Sequence, residues 1–349
     1  MKIQNRWVIL AASVLVNLCI GSAYAWSVFQ KPLIEMFGFS TSQANLAYTL
    51  SLCIAACSVI LSGKLQETKG ARFTLILGGF IFGAGIFLTG FTTGIAVLYL
   101  SYGLLGGVGI GLIYGCTIPN TVKWFPDKRG LAGGAIAAGF GLGSVLFAPL
   151  SVYLIDITGV LATFRIEGLA YIIVIVIASS LITSPKEGYK PAGWNPPAQA
   201  AGNIIKNYTT GEMIRTGKFW VLWVMCGIGC LAGLMIIGHA SPIGQEQVFI
   251  SPEMAAGAVA LLAIANTGGR LFWGAVSDKV GRYNAVILMY ILSALMLLLL
   301  SNTGSYWLFI ISIMGVGLSF GGFMGVFPSI TADNFGTLHL GVNYGERRP

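Results

Sequence analysis

A chain of 349 residues with 56% hydrophobic and only 9% charged side chains lacks the polar surface to face water all round, since soluble domains carry roughly 25% charged residues. Its mean hydropathy is +0.81, and its 48 glycines fit helices that approach one another closely in lipid. The formal charge of +8 is scattered singly between apolar runs, with no basic patch or helix to follow a phosphate backbone, which argues against a nucleic-acid partner.

Ten apolar runs follow one another along the chain: Trp7–Phe29, Ala44–Ser62, Phe73–Thr92, Ile95–Pro119, Leu131–Ile155, Gly168–Thr183, Phe219–Gly238, Met254–Val276, Ala285–Leu300 and Tyr306–Pro328. Most are long enough to cross a hydrocarbon core of about 30 Å as helices, and the sixth and ninth need their flanks. The first is expected to stay, because it is too long for a signal peptide and lacks a small-residue cleavage site. With a cytoplasmic amino terminus, only Lys31 and Arg165 of the 20 Lys and Arg fall outside, and Arg270 lies within a span. The positive-inside rule selects that topology. The longest polar stretch, Pro185–Lys218, carries Pro191, Pro196 and Pro197. It reads as a cytoplasmic linker (residues 185–218) between a six-helix half (1–184) and a half with four helices (219–349).

A repeat supports two halves. The loop after the second run reads Gly63-Lys-Leu-Gln-Glu67-Thr-Lys-Gly70-Ala-Arg72, and the loop after the eighth reads Gly274-Ala-Val-Ser-Asp278-Lys-Val-Gly281-Arg282. Glycine, acid and glycine recur at the same spacing, each displaced by 211 residues. Two homologous halves joined by a cytoplasmic loop are a carrier architecture, with substrate expected between them.

Both loops resemble the signature between helices 2 and 3, and 8 and 9, of the major facilitator superfamily. Within it the chain is similar to the oxalate:formate antiporter family, relatives of the monocarboxylate transporters. The resemblance rests on Asn5-Arg6-Trp7, Tyr24-Ala-Trp26, Trp124 through Ala132, Phe219 through Trp223, Gly269 through Gly274, and Phe327-Pro328 through Asn343-Tyr344-Gly345. It implies an all-α membrane protein with two pseudo-symmetric helical halves. Ten transmembrane helices are expected here instead of the family's twelve, because the chain ends at Pro349 where members continue into an eleventh helix. That missing helix carries the family's substrate-binding lysine, so a truncated product is expected.

Arg270 is the sharpest site candidate, the one charge well inside a run with no acid in the same apolar stretch. An arginine at such depth costs several kcal/mol and usually faces a wet cavity or a partner, and its planar fork matches a carboxylate. The alternative is that it snorkels to the cytoplasmic side. The resemblance places Arg270 at the family's anion-binding arginine. No Asp or Glu sits in the middle of a run, and Asn266 stands where proton-linked relatives have an aspartate. Exchange or uniport is therefore expected ahead of proton symport. His239 and His339 lie near run edges and are expected at the surface.

Tyr24, Trp26, Tyr114 and Phe320 are candidates to line the substrate cavity, with ordinary helix packing as the alternative. The resemblance matches Tyr24 and Tyr114 to tyrosines implied in anion binding. Phe140, Phe320 and Met324 replace hydrogen-bonding aromatics of the oxalate exchanger, which favours a monocarboxylate such as formate, lactate or pyruvate. Gly63, Glu67, Gly70 and Arg72, with Gly274, Asp278, Gly281 and Arg282, form the expected cytoplasmic latch, the acids pairing with basic residues such as Arg129. Gly139, Gly141 and Gly143 with Pro149 suggest close packing and a kink.

Cys19, Cys53, Cys57, Cys116, Cys226 and Cys230 all fall in apolar runs without His or carboxylate neighbours, so buried thiols are expected rather than a metal site. No cluster suits a membrane-embedded enzyme, and no P-loop suits an ATP-driven pump. The sequence thus points to a secondary carrier of small carboxylates in the cytoplasmic (inner) membrane, monomeric and without cofactor. A proton-coupled monocarboxylate symporter and an inactive truncated fragment stand as alternatives.

Overall fold

The structure is a computed structural model and describes residues 5–186, 189–191 and 208–336. Helices follow one another in the order α1 (Arg6–Ile20), α2 (Trp26–Phe37), α3 (Thr41–Lys69), α4 (Ala71–Thr89), α5 (Ile95–Leu98), α6 (Gly107–Trp124), α7 (Arg129–Thr158), α8 (Val160–Leu181), α9 (Thr210–Ile214), α10 (Gly217–Glu246), α11 (Pro252–Val280), α12 (Arg282–Ser301) and α13 (Tyr306–Phe335). A 3₁₀ stretch, Gly21–Ala25, joins α1 to α2, and a π-helical stretch, Tyr99–Gly106, joins α5 to α6. Among the described residues, ten helical stretches are long and apolar enough to cross a membrane, and they match the ten apolar runs in order. His339, the Asn343-Tyr344-Gly345 stretch and most of the linker lie outside the described residues.

Local chemistry explains the helix limits. Ser40 and Gln43 form a reciprocal capping box at the start of α3, with Ser40 N–H donating to Gln43 Oε1 at 2.9 Å and Gln43 N–H to Ser40 Oγ at 3.2 Å. Gly70 separates α3 from α4 at φ 84°, ψ 163°, and Gly281 separates α11 from α12 at φ 91°, ψ 151°. That region of backbone space is essentially closed to residues with a Cβ. The two copies of the sequence repeat therefore turn through the same glycine conformation.

Several helices extend beyond their apolar runs. The first continues through the 3₁₀ stretch and α2 to Phe37, and the last runs through Pro328 to Phe335. The sixth run was expected to begin at Gly168, but α8 begins at Val160. Arg165 and Glu167 are thus on a spanning helix, which corrects the expectations that Arg165 sits in a loop and that no acid lies within a span. Polar residues hid this turn from a hydropathy reading, yet they are satisfied locally: Thr163 Oγ1 donates back to Gly159 O at 2.9 Å, and Glu167 accepts hydroxyl hydrogen bonds. Two thiols also depart from expectation, since Cys53 and Cys57 are exposed on α3.

The helices group into two compact units. One holds Asp127–Ala138 and Glu212–Asn334, so the beginning of α7 belongs with it, and the other holds the remaining described residues. In this larger unit α6 packs on both α3 and α4, α4 packs on α8, and α1 packs on α6 and α8. Asn17 Nδ2 donates to Thr117 Oγ1 at 2.9 Å, tying α1 to α6, and Ser62 Oγ donates to Leu112 O at 2.7 Å, tying α3 to α6. The other unit buries Ile236, Leu262, Phe309, Ile313 and Val316 as a common core of α10, α11 and α13.

The glycines of α6 show why the sequence needs them. A Cβ on Gly107, Gly111 or Gly115 would collide with α3, at Ser51, Ala55 and Ser62 respectively, while one on Gly109 would collide with Phe82 of α4. Two faces of one helix are thus cleared for backbone contact. Gly111→Val is expected to destabilise the protein by about 1–3 kcal/mol through overpacking, seen as a lowered thermal midpoint in detergent. Gly227→Ala, where a Cβ meets nothing within 4 Å, is the control. Equal midpoints for the two variants would contradict the packing account.

Candidate functional site

The first cluster lies on α11. Arg270 is only 4% exposed, and its Nη1 donates to the carbonyl oxygen of Ala137 in α7. Its Nε is buried with no hydrogen-bond partner, as are Asn266 Oδ1 one turn earlier and Trp273 Nε1 one turn later. No carboxylate is paired with Arg270 among the described residues. The local backbone brings α11 against α13: a Cβ on Gly269 would strike Leu318, and one on Gly321 would strike the carbonyl of Asn266. Phe320, expected as a cavity residue, is buried and packs on Gly233 of α10. Trp273 escaped the sequence reading because an indole in an apolar run looks like ordinary packing. Its unpartnered N–H beside Arg270 in sequence marks it as a polar group awaiting an acceptor.

A second cluster lies in the larger unit. Tyr24, carried by the 3₁₀ stretch and 42% exposed, meets the edge of Phe140 with centroids 4.9 Å apart. Tyr114 of α6 meets the same ring at 5.3 Å. One phenylalanine thus gathers the two tyrosines that the sequence singled out. Trp26, two residues from Tyr24, turns elsewhere: it is buried against Tyr102, 4.4 Å between centroids, with its Nε1 unpartnered.

The third cluster is ionic. Asp278 at the end of α11 accepts Gly130 N–H at 3.0 Å on Oδ1 and Leu131 N–H at 2.9 Å on Oδ2, so its carboxylate caps the start of α7. Arg282 binds Asp278 Oδ1 through Nη1 at 2.5 Å and Asp333 Oδ2 through Nε at 3.0 Å. Arg129 Nη1 holds the other oxygen of Asp333 at 2.6 Å. Arg129 was expected to pair with the loop acids, whereas its partner here is Asp333. That residue sits on α13 beyond Pro328, past the apolar run, which is why the sequence reading missed it. Gly274 and Gly130 face each other so closely that a Cβ on either would meet the other's carbonyl oxygen. In the other repeat copy Gly63 is buried, Glu67 half-buried and Arg72 exposed.

Asp278→Ala removes the acceptor for two backbone N–H groups and one guanidinium at once. A loss of about 1–3 kcal/mol is expected, read as a lower unfolding midpoint. Asp278→Asn should recover only part of it, because an amide has a single acceptor oxygen. Full stability of both variants would contradict the assigned role.

The sequence model of the Major Facilitator Superfamily matches residues 7–345. The chain is 34% identical over 348 residues to the oxalate:formate antiporter of Oxalobacter formigenes, covering 98% of this chain and 80% of that one. It is 33% identical over 344 residues to the uncharacterized MFS-type transporter YhjX of Escherichia coli (strain K12), covering 98% and 84%. Among solved structures it is similar to the proton:xylose symporter XylE, with a TM-score of 0.67, 14% identity, and coverage of 97% of this chain and 86% of that one. That likeness supports the fold alone. With ten candidate spans and this match, the chain is a multi-pass membrane protein of a transporter class, not an enzyme, and it belongs to the major facilitator superfamily, among the relatives of the oxalate:formate antiporter.

Proposed function

We propose that this protein is a secondary carrier that moves small carboxylate anions across the membrane by alternating access, exchanging one anion for another. The observation that carries the reading is Arg270, a cation 4% exposed in a spanning helix whose Nε has no partner and which no described carboxylate neutralises. A buried guanidinium held only by a backbone carbonyl is incompletely compensated, and a planar carboxylate supplies the missing charge and two acceptor oxygens. Asn266 and Trp273 flank it on the same helix with polar atoms equally unpartnered. Tyr24 and Tyr114 are proposed as hydroxyl contacts for the anion.

The relative that exchanges oxalate for formate, at 34% identity, supports carboxylates as the class. Phe140, Phe320 and Met324 offer no strong hydrogen-bond donor, which favours monocarboxylates such as formate, lactate or pyruvate over oxalate. The distribution of Lys and Arg favours an amino terminus on the cytoplasmic side of a cytoplasmic (inner) membrane. The ionic cluster of Asp278, Arg282, Asp333 and Arg129 is the proposed latch of that side, together with Glu67 and Arg72.

Reconstituted protein should take up labelled formate, pyruvate or lactate into proteoliposomes, faster when unlabelled anion is inside, with oxalate the weaker substrate. Arg270→Ala should lower uptake on the order of 100-fold, the consequence of losing a buried charge pair worth about 2–5 kcal/mol. Arg270→Lys, which keeps the charge but not the fork, should fall between. Undiminished uptake by Arg270→Ala would remove this residue from the mechanism.

A further inference from the structure

Among the described residues Glu167 is, beside Arg270, the second buried charge-bearing group of the spanning helices. It sits on α8, 5% exposed, on the eighth residue from the helix start. Its Oε1 lies 2.6 Å from Ser151 Oγ of α7, and its Oε2 accepts the Tyr171 hydroxyl at 3.2 Å. The Tyr171 side chain in turn lies near Ser22 in the 3₁₀ stretch. Ser22, Ser151 and Tyr171 are themselves buried.

Among the described residues, the groups recorded against Glu167 are neutral. Tyr102 approaches from the π-helical stretch, Ser151 from α7 and Tyr171 from its own helix, while Cys19 of α1 and Ser22 of the 3₁₀ stretch lie against Tyr171. α4 meets α8 through apolar groups, with the Phe82 ring 5.5 Å from that of Tyr171 and Gly79 and Gly83 against Ile175 and Ile172. The nearest cation in sequence, Arg165, is exposed and lies over the ring of Phe91 at 5.3 Å. A carboxylate enclosed in this way has no counter-charge among the described residues, and such a group is far cheaper to bury with a proton on it.

Donor accounting leads to the same point. Ser151 has one hydroxyl proton, yet its Oγ is 2.7 Å from Phe147 O and 2.6 Å from Glu167 Oε1. One proton cannot serve both acceptors. If Glu167 carries a proton, the carboxyl donates to Ser151 Oγ, Ser151 donates to Phe147 O, and every group is satisfied. If Glu167 is ionised, Ser151 must turn to it and release the Phe147 carbonyl. The released bond lies next to Pro149, where α7 already lacks a backbone N–H, and serine back-bonding of this kind bends helices.

We propose that Glu167 is a proton-binding site, and that net carboxylate movement by this carrier is coupled to proton movement through it. The proton is taken up from one side and released on the other with no other bond made or broken. For a monocarboxylate, one anion and one proton together carry no net charge. The hydrogen bonds of Tyr171 and Ser151 link this site to the bend of α7, and Tyr171 lies near Ser22 of the 3₁₀ stretch that presents Tyr24. Exchange can proceed with the proton in place, whereas net uptake requires its release. This inference rests on the carrier reading above for its transport arm only.

Two measurements decide it. In pH-titrated infrared difference spectra of the purified protein, the carbonyl band of a protonated carboxylic acid should appear and titrate, and Glu167→Gln should abolish it. Ser151→Ala keeps the carboxyl but removes its partner and should move the titration midpoint. A spectrum without such a band, or one unchanged in Glu167→Gln, overturns the proposal whether or not any anion is transported. In proteoliposomes with an inward proton gradient, labelled pyruvate should accumulate through the wild-type protein. Glu167→Gln should lose about tenfold more of this accumulation than of exchange, as expected of a lost proton relay. Equal losses of the two activities, or gradient-driven accumulation as in wild type, would overturn the coupling.

Discussion

In a hydrocarbon layer about 30 Å thick a helix can satisfy its own backbone, but each polar side chain it carries must be satisfied by a neighbour. This constraint organises the protein. Most of its buried polar groups comply through short bonds within or between helices, such as Asn17 to Thr117 and Ser62 to the Leu112 carbonyl. Thr89 pairs with Ser101 in the same way. Against that background two buried charge-bearing groups stand out: Arg270 with an unpartnered Nε, and Glu167 with hydroxyls but no cation among the described residues. A cation and an acid buried without counter-charges among the described residues fit the proposed carrier of anions and protons.

Close backbone approach is the second condition, and glycine supplies it. Gly107, Gly111 and Gly115 set α6 against α3, and Gly274 meets Gly130 where α11 touches the start of α7. This last approach lets Asp278 reach the free N–H groups of α7 while Arg282, shared with Asp333, balances its charge. The ionic cluster is thus held by helix geometry as much as by charge. Its acid acts as a cap, which a salt-bridge reading of the motif alone does not foresee.

Much of this was legible in the sequence. Hydropathy marked all ten spans, because apolar composition over about 20 residues has few other uses. The repeated glycine and acid spacing located the two equivalent turns, and Gly70 and Gly281 indeed share one backbone conformation. Arg270 stood out as a charge in an apolar run. What stayed hidden were residues at the margins of those runs. Glu167 and Arg165 lay one residue and three residues before the expected start of the sixth run, and Asp333 lay beyond Pro328. A hydropathy window trims polar turns from helix ends, and only tertiary partners such as Ser151 and Arg129 show that those turns are helical and buried. The pairing of Arg129 with Asp333, far apart in the chain, has no sequence signature at all.

The most direct test of the account is ligand-dependent stability of the purified protein. A carboxylate that binds at Arg270 must raise the unfolding midpoint in proportion to RT ln(1 + [L]/Kd), independent of any transport cycle. Titration with formate, pyruvate and oxalate is predicted to stabilise the wild-type protein, with pyruvate or formate saturating first, and to leave Arg270→Ala unmoved. Equal stabilisation of Arg270→Ala would contradict the assignment of Arg270 as the anion-holding cation.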